Sequence, residues 1–302
     1  MYHCIVNPAA GRGKGQHMIS AIASFMAAHG AEIDIKMTHD SLDGTLFAKE
    51  ACTSNSEGII AVGGDGTLQE IVTGMLDGRD QCKTPLALIP CGSGDDWRRS
   101  FNIGFGCDKM LEAVLLNKPQ KIDAIRVNKM TCINIGNIGL DAKIVKNAQP
   151  FKRLFGNKSY VVSALISIMR HKNTPITIHI DDEDPIEDDF TLVAVCNGQY
   201  YGGGMRINPL AVIDDGRITL CLVSALSKLK TLALFPLMLM ERHTGFKAIK
   251  YIECKKVKLI PKGEKIFCLD GNLYESAEPL EFEILPKAVK VFIPYVPLHD
   301  KG

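Results

Sequence analysis

The sequence has no long apolar run. Its most apolar stretch, LALFPLMLM from Leu232 to Met240, is bounded by Lys228, Lys230, Glu241 and Arg242. That is far short of the ~20 residues a spanning helix needs. The stretch reads as a core helix, with a membrane-touching face as the alternative. An excess of one charge is also missing. With 35 Lys and Arg against 34 Asp and Glu, the net charge is +1, which gives no bulk electrostatic case for nucleic acid, so none is expected as a partner. The ten cysteines form no CxxC pair and show no zinc-like spacing. Most sit in apolar runs, as Cys132 does in TCINI and Cys196 in VAVCNG. They read as buried reduced thiols of a cytoplasmic protein. The start, MYHCIVNPAAGRGKG, lacks the charged-then-apolar order of a secretory signal. No internal repeat and no low-complexity tail is visible.

What is present is a globular composition, 46% apolar and 23% charged over 302 residues, enough for two cores. The first part alternates strand and helix. YHCIVN, AEIDIKMT, GIIAV and PLALIP read as strands, and GQHMISAIASFMAAHG, GTLFAKEACT and TLQEIVTGMLDG as the helices between them. That rhythm predicts a parallel sheet with helices on its faces. Near Pro119 it gives way to strand-like runs, among them KIDAIRVN, MTCINIGNIG, PITIHID, RITLCLV and KIFCLD, with one long helix at NKSYVVSALISIMRH. The fold class predicted is therefore α/β: an N-terminal nucleotide-binding domain over 1–121 and a β-rich, antiparallel, sandwich-like domain over 122–302. The last residues are expected to pack back on the first domain.

One segment concentrates chemistry. IIAVGGDGTLQE runs from a buried strand into Gly63, Gly64, Asp65, Gly66 and Thr67, then opens a helix. Glycine tolerates positive φ and lets a phosphate approach the backbone. The first N–H groups of a helix favour an anion. A lone acid there would repel phosphate unless it serves a metal, and Mg²⁺ takes one or two carboxylates together with phosphate oxygens. The bland reading is a glycine turn. GRGKG at Gly11 to Gly15 lacks the Walker A spacing but lies at the end of the first strand, where ligands bind in open α/β sheets. Asp270, in CLDGN, reads either as a turn residue, since Asp-Gly favours hairpins, or as a carboxylate aimed by the strand before it.

Taken in order, NPAAGRG (Asn7 to Gly13), GGDGTLQE (Gly63 to Glu70) and PCGSGDDWRRSF (Pro90 to Phe101) resemble the diacylglycerol kinase catalytic domain family, which includes bacterial lipid kinases, sphingosine kinases and ceramide kinases. NIGNIGLDAKIV, CNGQYYGGGMRINPLAVIDDGRI and CLDG extend the resemblance over nearly the whole chain. The resemblance implies an ATP- and Mg²⁺-dependent lipid kinase of phospholipid biosynthesis, acting on diacylglycerol and associating peripherally with a membrane surface. It implies a nucleotide pocket lined by Asn7, Gly11, Thr38, Gly63, Gly64, Gly66, Thr67, Glu70 and Ser93. Asp65 matches the acid tied to phosphate-bound Mg²⁺, with Asp96 and Asp123 in a supporting network. Asp215 matches a ligand of a structural Mg²⁺, completed by backbone carbonyls near Val212 and Arg217. Asp270 matches the acid assigned as general base on the lipid hydroxyl.

Two positions depart from the family pattern. Asp270-Gly271-Asn272 stands where Asp-Gly-Glu is usual, and Asp95-Asp96 where Asn-Asp is usual. Two alternatives stay open. One is a soluble kinase of the NAD kinase type, which shares GGDGT but carries a mid-chain Asn-Glu pair absent here. The other is a non-catalytic nucleotide- or lipid-binding homologue. A homodimer through an exposed edge strand is a further expectation.

Overall fold

The computed structural model describes residues 1–40, 42–54, 56–92, 94–101, 106–116, 118–148, 159–263 and 265–294. The chain divides into two units: Met1–Ala124 with Leu285–Gly302, and Ile125–Ile284. The C-terminal residues from Leu285 thus group with the first unit, and the second is an insertion within it.

In the first unit, β1 (Tyr2–Val6), β2 (Ile33–Met37), β3 (Gly58–Gly63) and β4 (Leu86–Pro90) form a parallel sheet in the order β2-β1-β3-β4. β1 and β3 are buried along their whole length. This is the near-continuous apolar character of strands covered on both faces. The chain steps outward from β1 to β2, then back across β1 to β3. Because such crossovers are right-handed, α1 (Ala10–Ala28) falls on one face, where it meets α5 (Cys107–Leu116). α2 (Asp43–Thr53) and α3 (Asp65–Met75) pack together on the other. A four-residue helix, α4 (Asp96–Arg99), follows β4. Neither α4 nor α5 belongs to the rhythm read from the sequence.

The second unit is antiparallel. β5 (Gln120–Val127) enters it and pairs with β6 (Met130–Cys132) through a turn at Asn128 and Lys129. The run read as one strand, MTCINIGNIG, is broken at Ile133 and Asn134 before β7 (Ile135–Gly139). Two helices follow, α6 (Leu140–Ala148), which the strand pattern did not reveal, and α7 (Ser159–Arg170). β8 (Thr174–Ile180) and β9 (Ile186–Cys196) come next, then β10 (Tyr200–Tyr201), β11 (Met205–Arg206) and β12 (Ile218–Ser224). β9 pairs with β8, β7 and β12, always antiparallel. α8 (Lys228–Leu239), β13 (Ile249–Cys254), β14 (Lys256–Pro261), β15 (Ile266–Leu269), β16 (Asn272–Glu275) and β17 (Leu280–Val291) complete the chain. Among the described residues three buried clusters serve this unit, one around Val195, Leu220, Leu259 and Phe282, one around Leu192, Cys221, Leu234 and Met238, and a smaller one of Leu140, Ile144, Ala164, Ile168 and Phe235. β17 leaves the unit, and its last residue, Val291, pairs with Leu86 of β4.

Candidate active site

In the first unit the connections leave β1 and β3 in opposite directions, which makes the gap between their carboxyl ends the switch point where ligands bind in open α/β sheets. The residues singled out from the sequence converge there. Asn7, just past β1, donates its backbone N–H to Val62 and its Nδ2 to Thr67 Oγ1 at 3.0 Å, while its Oδ1 accepts from Ala9 N–H. Thr38, buried at the end of β2, donates its N–H to Val6. Three loops therefore meet through backbone and short side chains.

The glycines serve this meeting in a way the sequence reading did not anticipate. None of Gly63, Gly64 and Gly66 has a positive φ. Gly64 is extended, φ −106°, and caps α3. A Cβ there would lie 3.0 Å from the Cα of Gly92, in the loop after β4. Gly11 does have the left-handed backbone, φ +59°, and a Cβ on it would run into the Cys91 carbonyl oxygen. The glycines let the loops after β1, β3 and β4 close on one another.

The acids cluster at the same place. Asp65 Oδ2 accepts the N–H of Asp96, and its Oδ1 that of Trp97, each at 3.0 Å, so Asp65 holds the start of α4. Burial raises its pKa; the Trp97 and Asp96 N–H groups and the Arg99 charge offset part of that rise. Asp95, held in a left-handed conformation (φ +49°), accepts the Gly92 N–H at 2.9 Å. Its pKa is raised to about 6, first by burial and then by the Asp65 charge. Asp96 is buried and lies 3.6 Å from the Arg99 Nε. The Oδ2 atoms of Asp96 and Asp65 are 3.0 and 3.2 Å from the point where a Cβ on Gly94 would sit. Two carboxylate oxygens thus flank a space that only glycine leaves open. Among the described residues no group of three or more His, Cys, Asp or Glu side chains forms a metal cage. Mg²⁺ bound by one or two carboxylates and by phosphate oxygens does not need one, and the hard oxygen donors of this cluster suit it.

Not every residue from the sequence reading stands at this spot. Glu70, one turn along α3, faces α2: its Oε2 is 3.1 Å from a Cβ position on Gly44. Burial and the Asp43 charge raise its pKa to about 7. Asp123 is fully buried and accepts the Lys287 N–H at 2.7 Å, pinning β17 to β5 where Lys287 turns left-handed. Ser93 lies outside the described residues. In the second unit Asp215 is exposed and its Oδ1 accepts the Arg217 N–H at 2.9 Å across Gly216 (φ +75°). Val212 is exposed in the same loop. One carboxylate oxygen of Asp215 is thereby committed to the turn.

Asp270 joins both readings of its sequence. With Gly271 it forms the two-residue turn between β15 and β16, where Leu269 pairs with Asn272. Both turn residues have positive φ, +46° and +88°, as the type I′ hairpin requires. Its side chain turns inward and is 4% exposed. Oδ1 accepts the N–H groups of Asn134 and Ile135 and the Cys132 thiol; Oδ2 accepts the N–H of Ile133. These are the residues that break MTCINIGNIG into β6 and β7. Asp270 also donates its own N–H to the Ile135 carbonyl. Burial, and then the Asp270 charge beside it, push the Cys132 thiol far up.

A narrow, partly open apolar pocket of about 30 Å³ in the second unit was not predicted from the sequence. Leu140, Ile144, Ile168, Leu234, Phe235 and Met238 give it an almost wholly carbon lining, with Asp141 among the few polar members. The signal was present in NIGLDAKIV: an acid two residues after a glycine, flanked by apolar residues at helical spacing.

Comparison with known proteins identifies the class. Residues 1–127 match the Diacylglycerol kinase catalytic domain, and residues 135–293 match the YegS C-terminal NAD kinase beta sandwich-like domain. The chain belongs to the family built from these two domains and is an enzyme of the lipid kinase class. It is 27% identical to a "probable lipid kinase YegS-like" of Enterobacter sp. (strain 638), over 94% of both chains. It is 31% identical to a "probable lipid kinase YegS" of Salmonella schwarzengrund, over 63% of this chain and 64% of that one. The crystal structure of a diacylglycerol kinase from Bacillus anthracis superposes with a TM-score of 0.78 at 25% identity, covering 98% and 97% of the two chains. An NAD kinase from Archaeoglobus fulgidus in complex with ATP shares the fold alone, with a TM-score of 0.51 at 14% identity.

Proposed function

We propose that this enzyme transfers the γ-phosphate of ATP to the hydroxyl of a membrane lipid, with diacylglycerol as the acceptor and phosphatidic acid, a phospholipid precursor, as the product. The observation that carries the lipid reading is the apolar cavity walled by α6, α7 and α8. An acyl chain needs apolar surface and little else, whereas a nucleotide acceptor such as NAD needs many placed polar groups. Asp141 supplies a polar partner for a lipid's glycerol end.

Phosphoryl transfer is mostly positioning and charge stabilisation. The backbone at Gly11 and Gly63 to Thr67, with Asn7 holding Thr67 in place, receives the nucleotide's phosphates. Asp65, with Asp95 or Asp96, would hold Mg²⁺, whose role when bound would be to neutralise charge on those phosphates. Asp270 carries the remaining task, acceptance of the lipid hydroxyl's proton, only by exchanging one of its four donors for that hydroxyl. The Cys132 thiol is the weakest of the four.

The test uses purified protein, Mg²⁺ and ATP labelled at the γ-phosphate, offered mixed lipid vesicles and NAD together. Label in the organic phase that chromatographs as phosphatidic acid is the expected result. Label on a different lipid corrects the acceptor, and label on NAD overturns the reading. No label from folded protein that binds ATP points to a non-catalytic homologue, with Asn272 as the first position to restore to Glu.

A further inference from the structure

From Leu232 onward α8 is apolar on every side. Thr231, Leu234, Phe235 and Met238 face inward and wall the cavity. The opposite face carries Leu229, 79% exposed, then Leu232, Pro236 and Leu239, and ends at Met240, 58% exposed. Beside it, on α7, Leu165 and Met169 are exposed one turn apart. α7 and α8 meet through Ile168 and Phe235. A helix apolar all round is normally buried, and a contiguous exposed apolar face marks an interaction surface. At 12 residues α8 is too short to cross a bilayer, and among the described residues no helix is long and apolar enough to do so.

The charges around this face select the partner. Lys228 and Lys230 open α8, Arg242 follows it, and Arg170 and Lys172 follow α7; all five are exposed. No Asp or Glu occurs from residue 216 to 240, and the first acid beyond, Glu241, is 3.4 Å from Arg206. An apolar strip edged by cations fits an anionic bilayer surface, where leucines enter the acyl boundary and lysines meet headgroups.

We propose that α8, with the exposed side of α7, is the face on which this enzyme sits on an anionic membrane. The helix lies in the plane of the interface, and the cavity behind it takes an acyl chain from the same leaflet. This rests on the lipid kinase reading for its purpose, but not for its measurement, because binding to vesicles is read without ATP.

The test is co-sedimentation of the full chain with phosphatidylcholine vesicles, with and without 30% phosphatidylglycerol. Wild type, Leu229→Gln/Met240→Gln and Lys228→Glu/Lys230→Glu are compared, each checked for an unchanged Tm. Wild type is expected to bind anionic vesicles at least tenfold more tightly than neutral ones at 0.1 M salt. That preference should shrink at 0.5 M salt, where screening is stronger. Each variant should lose at least tenfold in vesicle affinity while keeping wild-type turnover on a short-chain, water-soluble diacylglycerol. Wild-type vesicle affinity in both variants overturns the proposal, whatever the enzyme phosphorylates. So does a wild-type dimer that Leu229→Gln/Met240→Gln turns into monomer without loss of vesicle binding, since the strip would then seat a second copy. Loss of vesicle binding in a protein that phosphorylates no lipid leaves the membrane face standing and removes the kinase reading instead.

Discussion

Asp65 and Asp270 are both aspartates that collect backbone N–H groups, one in each unit, and they have different capacity left over. Asp65 accepts two from α4, the N–H groups of Asp96 and Trp97, with its own N–H beside them, and stays half-buried beside two further acids and the open space at Gly94. Asp270 accepts three, with a thiol as well, and is almost wholly enclosed. A carboxylate offers about four acceptor sites. Asp65 has filled less of that capacity. Asp270 has spent most of it on the turn between β6 and β7. A motif letter that looks the same in both places therefore leaves acceptor capacity open in one unit and is chiefly a brace in the other.

The sharpest break of this comparison is Asp270→Asn. An amide cannot accept on both sides, so at least one buried N–H loses its partner. We expect a loss of about 3 kcal/mol in stability, read as a Tm lower by roughly 6–12 °C, together with loss of turnover. If turnover vanishes while Tm holds, Asp270 is a base and not a brace. Asp65→Asn should behave in the opposite sense. Turnover should fall by a factor on the order of 10² to 10³, while Tm moves little, because the amide oxygen still accepts one N–H of α4. A large Tm loss there would erase the contrast.

The smallest effect concerns Asp95, whose pKa rises from 3.8 to about 6. A raised acid binds more protons folded than unfolded between those values, so its contribution to stability is full below the unfolded pKa and is lost as pH rises through about 6. Asp95→Asn should leave Tm near pH 4 unchanged and raise it above pH 6. Added Mg²⁺ should flatten the wild-type curve more than the variant's. Parallel curves for the two proteins across pH 4 to 8 would show that Asp95 feels neither burial nor Asp65.

The alternation of strand and helix in the first unit was legible because β1, β3 and β4 are short apolar runs with glycine or proline at or just past their ends, β2 alternates apolar and charged residues, and the helices keep their periodicity. The site was legible as residue types after β1, β3 and β4. The purpose of the glycines was not, since close approach of Gly64 to Gly92 joins positions far apart in sequence. α4 is not legible because a four-residue helix has no period; α5 carries both helical spacing and an acid in its first turn, Asp108, and was a signal left unused. MTCINIGNIG looks like one strand because nothing local says that Asp270, more than a hundred residues on, will pull Ile133 and Asn134 out of line. LALFPLMLM was read correctly as a helix, but a sequence cannot divide an all-apolar helix into its inner and outer faces.

The late return of β17 bears on how the chain is made. Leu86 is synthesised roughly 200 residues before Val291, its partner on that edge of the sheet. At a ribosomal pace of 5–20 residues per second, that is about 10 to 40 s. The Leu86 carbonyl that will accept the Phe292 N–H waits through that interval, while the whole second unit is translated. An open strand edge invites strand pairing with other chains. The outer edge of β4 is therefore open in the nascent chain until the C-terminal residues emerge, and truncation before residue 285 would leave it open.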